Sequence, residues 1–274
     1  MLKCYPLEWS SVKKKLKIDN TFFDNWEKEL KIDGSRELWV KDKLMSARGI
    51  EHNDRYRHVV NALKIGLKGL DYVLDGEIAL GESSNVLALN KKDNWSKAMF
   101  YVFDIMEYQG KSVRDLRLED RKKMLEILIK QINNPYVKMI KSFDKIEEAW
   151  KYVITNDLEG LVVKRKGSKY LSADILKPLR TNDWYKIKNW KETKEKVVDF
   201  IKGSEKGAFI LENGSKVSTL ENGVGELFLT YKKANKKVYA EIFFMMKTSG
   251  NRLFQPKLKR LVDDKNNVLW ESGG

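Results

Sequence analysis

The hydrophobic pattern of this chain changes character at about residue 197, and that change limits its fold more than any other feature. Before it, short apolar stretches alternate with longer amphipathic ones. Leu38 to Val40, Val73 to Leu80 and Met99 to Met106 are rich in apolar, β-branched and aromatic residues and are bounded by Gly, Asp or Asn, as strands are, and Leu161 to Lys164 is a further apolar strand. Between them, His58 to Leu70 spaces Val59, Leu63 and Leu67 as one face of a helix. Arg117 to Ile132 mixes basic residues with Leu, Met and Ile in the same manner, and Lys145 to Val153 predicts a third helix.

From Val197 onward only short strands are expected. Ala208 to Leu211, an Asn213-Gly214 turn and Lys216 to Thr219 read as a hairpin, followed by strands at Leu227 to Tyr231 and Tyr239 to Met246. Several short strands in so little chain predict a small β-barrel of the oligonucleotide-binding (OB) type. With 274 residues the chain exceeds one ordinary domain. The expected organisation is α+β: a domain over residues 1–190 with antiparallel sheets and flanking helices, then a barrel over 191–274, with Lys191 to Lys196 as the linker.

Lys and Arg number 53 against 39 Asp and Glu, a net charge of +14 shared by both halves, which favours a polyanionic partner, nucleic acid first. A single cysteine, Cys4, excludes an internal disulfide, and with only His52 and His58 beside it a Cys/His zinc site is not expected. Cys4 reads as inert, and the two histidines as surface or nucleic-acid contacts, since hard Mg²⁺ prefers oxygen. Met1 to Lys17 holds no apolar core of signal-peptide length and no apolar run approaches the ~20 residues of a membrane span, so an intracellular, cytoplasmic chain is expected.

Chemistry first shows at Leu30-Lys31-Ile32-Asp33-Gly34-Ser35-Arg36. Read as a loop before a strand, it lets a lysine between two apolar residues shed its proton more readily than a solvated one, and a free amine attacks phosphoryl centres. Alone, Lys-x-Asp-Gly is also an ordinary charged turn. Further segments follow in order, each with a carboxylate or lysine at the end of an apolar strand: Asp75-Gly76-Glu77, Phe103-Asp104, and Glu159-Gly160 running into Leu161-Val162-Val163-Lys164. Trp184-Tyr185-Lys186-Ile187-Lys188 then sets two lysines at period two, on one face of a strand, where a phosphate would fit.

With this ordered set the sequence resembles the covalent nucleotidyltransferase superfamily, and within it the ATP-dependent DNA ligases of the minimal two-domain type, from Lys31 to Lys265. The resemblance implies an adenylation domain followed by an OB-fold domain. Lys31 would attack the α-phosphorus of ATP and carry AMP. Asp33 shares its motif, and Arg36 would contact the nucleotide and the 5′-phosphate side of a nick; Arg48, in Ser46-Ala47-Arg48-Gly49 where an adjacent Ser-Arg is usual, would bind the nucleotide. Glu77 would lie near the ribose, Phe103 would stack on adenine, and Lys164, Lys186 and Lys188 would line the phosphates, the last two binding the α-phosphate. Glu159, with Glu77 and Asp33, would hold Mg²⁺ or Mn²⁺. In the second domain, Pro256 to Lys265 resembles the C-terminal motif that contacts departing pyrophosphate through Arg260 and Lys265, with Leu258 where an aromatic is usual and Val262 where arginine is frequent. The partner implied is nicked duplex DNA bound by a monomer, and no membrane. Neither a large DNA-binding domain before Lys31 nor a long encircling insertion between Phe200 and Lys216 is expected. RNA ligases, capping guanylyltransferases and a non-catalytic relative are the alternatives; capping enzymes usually carry aspartate where Glu159 stands, RNA ligases commonly lack the C-terminal motif, and a dead relative would have lost the nucleophile or metal carboxylates.

Overall fold

The structure, a computed structural model, describes residues 4–8, 20–46, 48–171, 179–204, 206–219 and 221–272, with backbone alone for 4–8, 20–21 and 179–180. The reading of Cys4 as inert and most of that of Met1 to Lys17 therefore lie outside the described residues. Two compact units result, Met1–Asn189 and Trp190–Gly274.

The first unit is built on two sheets. Strands β1 (Cys4–Glu8), β2 (Trp26–Lys31), β9 (Ser142–Phe143), β10 (Gly160–Arg165) and β11 (Leu179–Lys188) form one, in the order β1-β11-β10-β2-β9. The other has the order β4-β3-β5-β6-β7, from β3 (Ser35–Val40), β4 (Lys43–Ser46), β5 (Val73–Ala79), β6 (Met99–Tyr108) and β7 (Lys111–Ser112), with β8 (Val137–Met139) parallel to β6. Helices α1 (Arg57–Leu67) and α2 (Leu118–Ile132) cover one face of the second sheet, where Trp39, Leu74, Ile78 and Phe100 pack on Val59, Leu63, Leu125 and Leu128. Helix α3 (Ile146–Thr155) packs Ala149 and Val153 against Leu30 and Leu161 of the first sheet.

Strand alternation decides what faces the space between the sheets. In β3, Trp39 turns to the helices, so Leu38 turns the other way and meets Tyr170 and Trp184. Helix α1 stops at Leu67, short of the expected Leu70, because Lys68 (φ 52°) and Gly69 (φ 70°) take the left-handed conformation that ends a helix. Asp75, Glu77 and Asp104, expected at strand ends, lie inside β5 and β6, which run on past them.

The second unit is a six-stranded sheet, β14-β13-β12-β15-β18-β19, formed by β12 (Lys191–Ile201), β13 (Ala208–Leu211), β14 (Lys216–Ser218), β15 (Val238–Phe244), β18 (Lys257–Asp263) and β19 (Val268–Glu271), beside a two-stranded ribbon of β16 (Met246–Lys247) and β17 (Leu253–Phe254). Its core holds Phe209, Val217, Ala240, Ile242 and Leu261. The hairpin closes at Asn213 and Gly214 as expected, with Gly214 at φ 77°.

Two expectations fail here. Lys191 to Lys196 is no linker: it is the first half of β12, paired residue by residue with β15 from Lys191–Phe244 to Lys196–Tyr239. Its charges hid the strand because they are matched across it, Lys194 lying over the Tyr239 ring and Lys259 bonding Glu192 at 2.8 Å. Leu227 to Tyr231 is not a strand but part of helix α4 (Val224–Lys233), which buries Val224 and Phe228 one turn apart. A five-residue apolar run fits either period.

Candidate active site

Lys31 is the last residue of β2 and not part of a loop. Across the ladder it pairs with Gly160, whose other partner is Lys188, while Glu29, Val162 and Lys186 share the next level on the same face. Period-two alternation therefore gathers Glu29, Lys31, Val162, Lys164, Trp184 and Lys186 on one side of the first sheet. With Arg36, Glu77 and Phe103 of the second sheet, and Leu30, Ile32 and Ile140, they line a cavity of about 210 Å³.

Two glycines let the backbone close up there. A Cβ on Gly34 would meet the Ile78 carbonyl oxygen at 2.2 Å, and one on Gly160 would meet that of Ile187 at 2.0 Å. Gly160 also has φ 145°, which side chains rarely adopt. Beside it, Glu159 is pinned by the Asn189 N–H, which donates to its carbonyl at 2.9 Å.

The Glu159 carboxylate dominates the electrostatics. It accepts from Lys31 Nζ at 2.7 Å and lies 3.5 Å from Lys188 Nζ. Burial pulls the Lys31 ammonium down, but Glu159 and Glu77 more than offset it, and the group sits above its ordinary value. This overturns the expectation of an easily deprotonated lysine: its apolar neighbours Leu30 and Ile32 point into the core, while carboxylates face the amine. Burial and the charge of Glu159 raise Asp33, whose Oδ2 accepts from the Val86 N–H at 3.3 Å.

Glu77 is pushed up to about 8, chiefly by burial, with Lys31 and Arg36 pulling against it. A carboxyl held protonated in the fold but ionised in the unfolded chain contributes stability that is full below about pH 4.5 and is lost progressively as pH rises to about 8. Glu77→Gln, which keeps the neutral form, should therefore melt increasingly above wild type from pH 5 to 8, by on the order of a few kcal/mol at the top, after which the gap stops widening. A constant gap in scanning calorimetry would show that Glu77 is ionised throughout.

Arg36 is held by both oxygens of buried Asp75, Nε donating at 3.0 Å and Nη2 at 2.5 Å, and lies over the Phe103 ring 5.3 Å from its centroid. Burial opposes its charge and Asp75 restores it, so the guanidinium stays above its ordinary value. Lys164 is fully buried, bound to Glu29 at 2.7 Å and set over the Trp184 and Phe103 rings at 4.0 and 4.7 Å. Lys122 of α2 takes the other Glu29 oxygen. Desolvation lowers Lys164 although Glu29 opposes it.

Thus Lys31, Arg36, Glu77, Phe103, Lys164 and Lys186 line one cavity, with Glu159 and Lys188 at Lys31 and Asp33 close enough for its charge to act on them. Arg48 does not join them. It is exposed, because Gly49 N–H donates to the Ser46 carbonyl and folds the chain back just after β4. In the second unit, Arg260 is bound by Glu241 at 2.8 and 3.1 Å, and Lys265 is exposed in a turn where its N–H donates to Asp263. Leu258 and Val262 are buried, which accounts for apolar residues at both positions. The histidines are half-buried, each with one ring nitrogen held: His52 Nδ1 lies 2.9 Å from Glu37 Oε1 and His58 Nε2 2.7 Å from the Ala98 carbonyl oxygen.

Among the described residues no three His, Cys, Asp or Glu side chains stand close enough to hold a metal unaided. The donor set still suits a hard cation of the Mg²⁺ kind, which needs one or two carboxylates and takes its remaining oxygens from substrate phosphates and water. Glu159, Glu77 and Asp33 are the oxygens available.

Sequence reasoning missed Glu29, Asp75 and Tyr170 as parts of the site. For Glu29 a signal existed: it stands two residues before Lys31, hence on the same face once Trp26–Lys31 is read as a strand. Asp75 carried one too, standing in the Asp75-Gly76-Glu77 segment, although its bond to Arg36 did not show; Tyr170 had none, because it meets Asp75 across 95 positions.

Residues 10–188 match the family model of the ATP-dependent DNA ligase domain. The chain belongs to the ATP-dependent DNA ligases. A relative of this ligase, the bifunctional non-homologous end joining protein LigD of Bacillus subtilis, is 28% identical over 231 residues, covering 73% of the chain and 36% of that protein. DNA ligase 4 of Kluyveromyces lactis is 26% identical over 196 residues, 58% of the chain and 21% of that protein. The ligase thus spans about a third or less of the length of these relatives. In fold it is similar to a Lig E DNA ligase (TM-score 0.66, 16% identity, 94% of this chain and 98% of that one) and to a mycobacterial DNA ligase D complexed with ATP and MES (TM-score 0.56, 20% identity, 98% of each). Their nucleotidyltransferase and OB-fold domains agree with the α+β expectation. No helix among the described residues is long and apolar enough to cross a membrane.

Proposed function

We propose that this ligase seals 5′-phosphate/3′-hydroxyl nicks in duplex DNA through three transfers: AMP from ATP to Lys31, AMP from Lys31 to the 5′-phosphate, and attack by the 3′-hydroxyl with release of AMP. One observation carries the reading: the Lys31 amine opens on a cavity whose walls supply two further lysines, an arginine, carboxylates and an aromatic ring. In the first transfer the N–P bond forms as the bond from the α-phosphorus to pyrophosphate breaks, and Lys31 must lose its proton beforehand. Lys186 and Lys188, two residues apart on β11, face the charge that builds on the α-phosphate oxygens. Phe103 offers a half-buried face for a base. Bound Mg²⁺ or Mn²⁺, held by Glu159 with Glu77 or Asp33, would neutralise phosphate charge. The net charge of +14 suits a long polyanion held mainly by its phosphates.

Incubation with α-labelled ATP followed by a denaturing gel, then addition of nicked duplex, tests the reading: a labelled protein band should form and its label should pass to DNA. Labelling by GTP in preference to ATP would move the protein to the capping enzymes, and label that passes to nicked RNA but not DNA would make it an RNA ligase. Arg260 and Lys265 are proposed to serve the first transfer alone, because pyrophosphate charge appears in no other. Lys265→Ala should therefore slow adenylation of the enzyme at least ~10-fold while sealing of pre-adenylated nicks stays within ~3-fold of wild type. Lys188→Ala should impair both in the same single-turnover assay. Equal losses in both steps for Lys265→Ala would assign that residue to folding or DNA binding instead.

A further inference from the structure

We propose that Tyr170 is a positioning residue for Arg36, acting through Asp75; what Arg36 does in turn rests on the nick-sealing reading above. The Tyr170 hydroxyl donates to Asp75 Oδ2 at 2.5 Å, the same oxygen that accepts from Arg36 Nη2, while Asp75 Oδ1 accepts from Arg36 Nε at 3.0 Å. A carboxylate can turn about its last bond and carry a bidentate guanidinium with it. A second donor on Oδ2, the third on the carboxylate, removes that freedom, so the phenol fixes the plane of the guanidinium that lies over Phe103 and lines the cavity. Asp75 is fully buried and Tyr170 is 3% exposed, so water does not compete for either group.

Tyr170 is itself held from three sides. Its N–H donates to the Arg114 carbonyl at 2.9 Å, and its ring meets Trp184 edge to face at 5.8 Å. On the third side lies the Arg121 guanidinium, 5.8 Å from the ring centroid and anchored to both oxygens of Asp104 and to the Ser168 carbonyl. A rigid chain of contacts thus runs from α2 through Tyr170 and Asp75 to Arg36. Tyr170 is not among the residues that line the cavity; its hydroxyl bears on Arg36 through Asp75 and by accepting from Arg36 Nη2 at 3.5 Å, while its ring backs Trp184. Burial beside Asp75 keeps the phenol well above its ordinary value, and it remains a donor throughout the useful pH range.

Tyr170→Phe removes the hydroxyl and keeps the ring. Single-turnover adenylation and single-turnover sealing of pre-adenylated nicks are measured for wild type, Tyr170→Phe, Arg36→Ala and the double variant. Tyr170→Phe should slow about tenfold whichever step Arg36→Ala slows, the loss of one charge-assisted hydrogen bond, and should add less than about twofold in the Arg36→Ala background. Losses that multiply in the double variant, or a wild-type rate for Tyr170→Phe beside an impaired Arg36→Ala, would overturn the proposal. A second measurement needs no turnover: the Arg36 Nε–Hε resonance, which reports the bond to Asp75 Oδ1, should exchange with solvent more slowly in the wild-type protein than in Tyr170→Phe, and equal exchange in the two would also overturn the proposal. A wild-type protein that forms no adduct with ATP would sink the nick-sealing reading, while the difference in exchange between wild type and Tyr170→Phe still decides whether Tyr170 helps Asp75 hold Arg36.

Discussion

Replacing Lys31 with alanine is expected to abolish the covalent AMP adduct, at least 10⁴-fold below wild type and in practice to the detection limit, because no other amine stands at the same place in the ladder. Lys186 and Lys188 are near, but they belong to β11 with β10 between: Lys188 stands at the other oxygen of Glu159, and Lys186 lies at the level of Val162 and Glu29. The fold should survive: Lys31 ends its strand, its backbone pairing is independent of the side chain, and the ion pair it loses leaves Glu159 with Lys188. Sealing of nicks that already carry AMP should persist, since that step needs no nucleophilic lysine. Intact-mass measurement after incubation with ATP and metal reads the result directly. An AMP-sized mass increase in Lys31→Ala would sink the assignment.

Substitution of Glu159 by glutamine should have two effects of opposite sense. Adduct formation at pH 7 to 8 should fall about 10²-fold, because the site loses a carboxylate suited to the metal and the charge that orients Lys31 and Lys188. At the same time the pH at which adduct formation reaches half its own plateau should move down. Glu159 is the main group holding the Lys31 ammonium above its ordinary value; without it, burial is opposed only by Glu77 and Asp33 and the amine titrates earlier than in wild type. The linkage for folding has the same sign: the raised Lys31 contributes stability below its ordinary value that is lost as pH climbs through the folded value, and Glu159→Gln removes that contribution. Rates of adduct formation followed from pH 7 to above pH 10.5 in both proteins test this, and a midpoint that stays put or rises in the variant would mean another group governs the Lys31 proton.

How much of this could be read from the chain differs between strands. The site motifs were legible because each sits beside an apolar strand whose signal is strong: Val73 to Leu80, Met99 to Met106 and Leu161 to Lys164 fix the places of Glu77, Phe103 and Lys164. Trp26–Lys31 was not read as a strand, since its sequence Trp-Glu-Lys-Glu-Leu-Lys places charge where a core face would be apolar. That charge is there because the inner side of this strand lines a ligand cavity. The same inversion hid β12, whose charged residues are paired across strands. The protonation of Lys31 was misread for a related reason: flanking residues in sequence are the far face in a strand, while the groups that set the charge come from residues 77 and 159. Arg48 was drawn in by the family resemblance, as the arginine nearest Ser46, and it stands exposed in the turn at Ser46 to Gly49, outside the cavity lining.

The shared level of Lys31, Gly160 and Lys188 makes the length of these strands a functional quantity in itself. One residue inserted in β2 would turn Lys31 and Glu29 to the outer side of the sheet and bring the Lys28 and Leu30 side chains to the cavity side. Two would restore the side but displace the amine by about 6.6 Å along the strand, beyond reach of Glu159. Neither change alters any residue type, and neither could be compensated by a substitution nearby. The ladder therefore acts as a vernier with a single working setting, and natural variation among chains of this kind should be free to lengthen the turns around it while leaving the residue count from Trp26 to Lys31, and from Gly160 to Arg165, untouched.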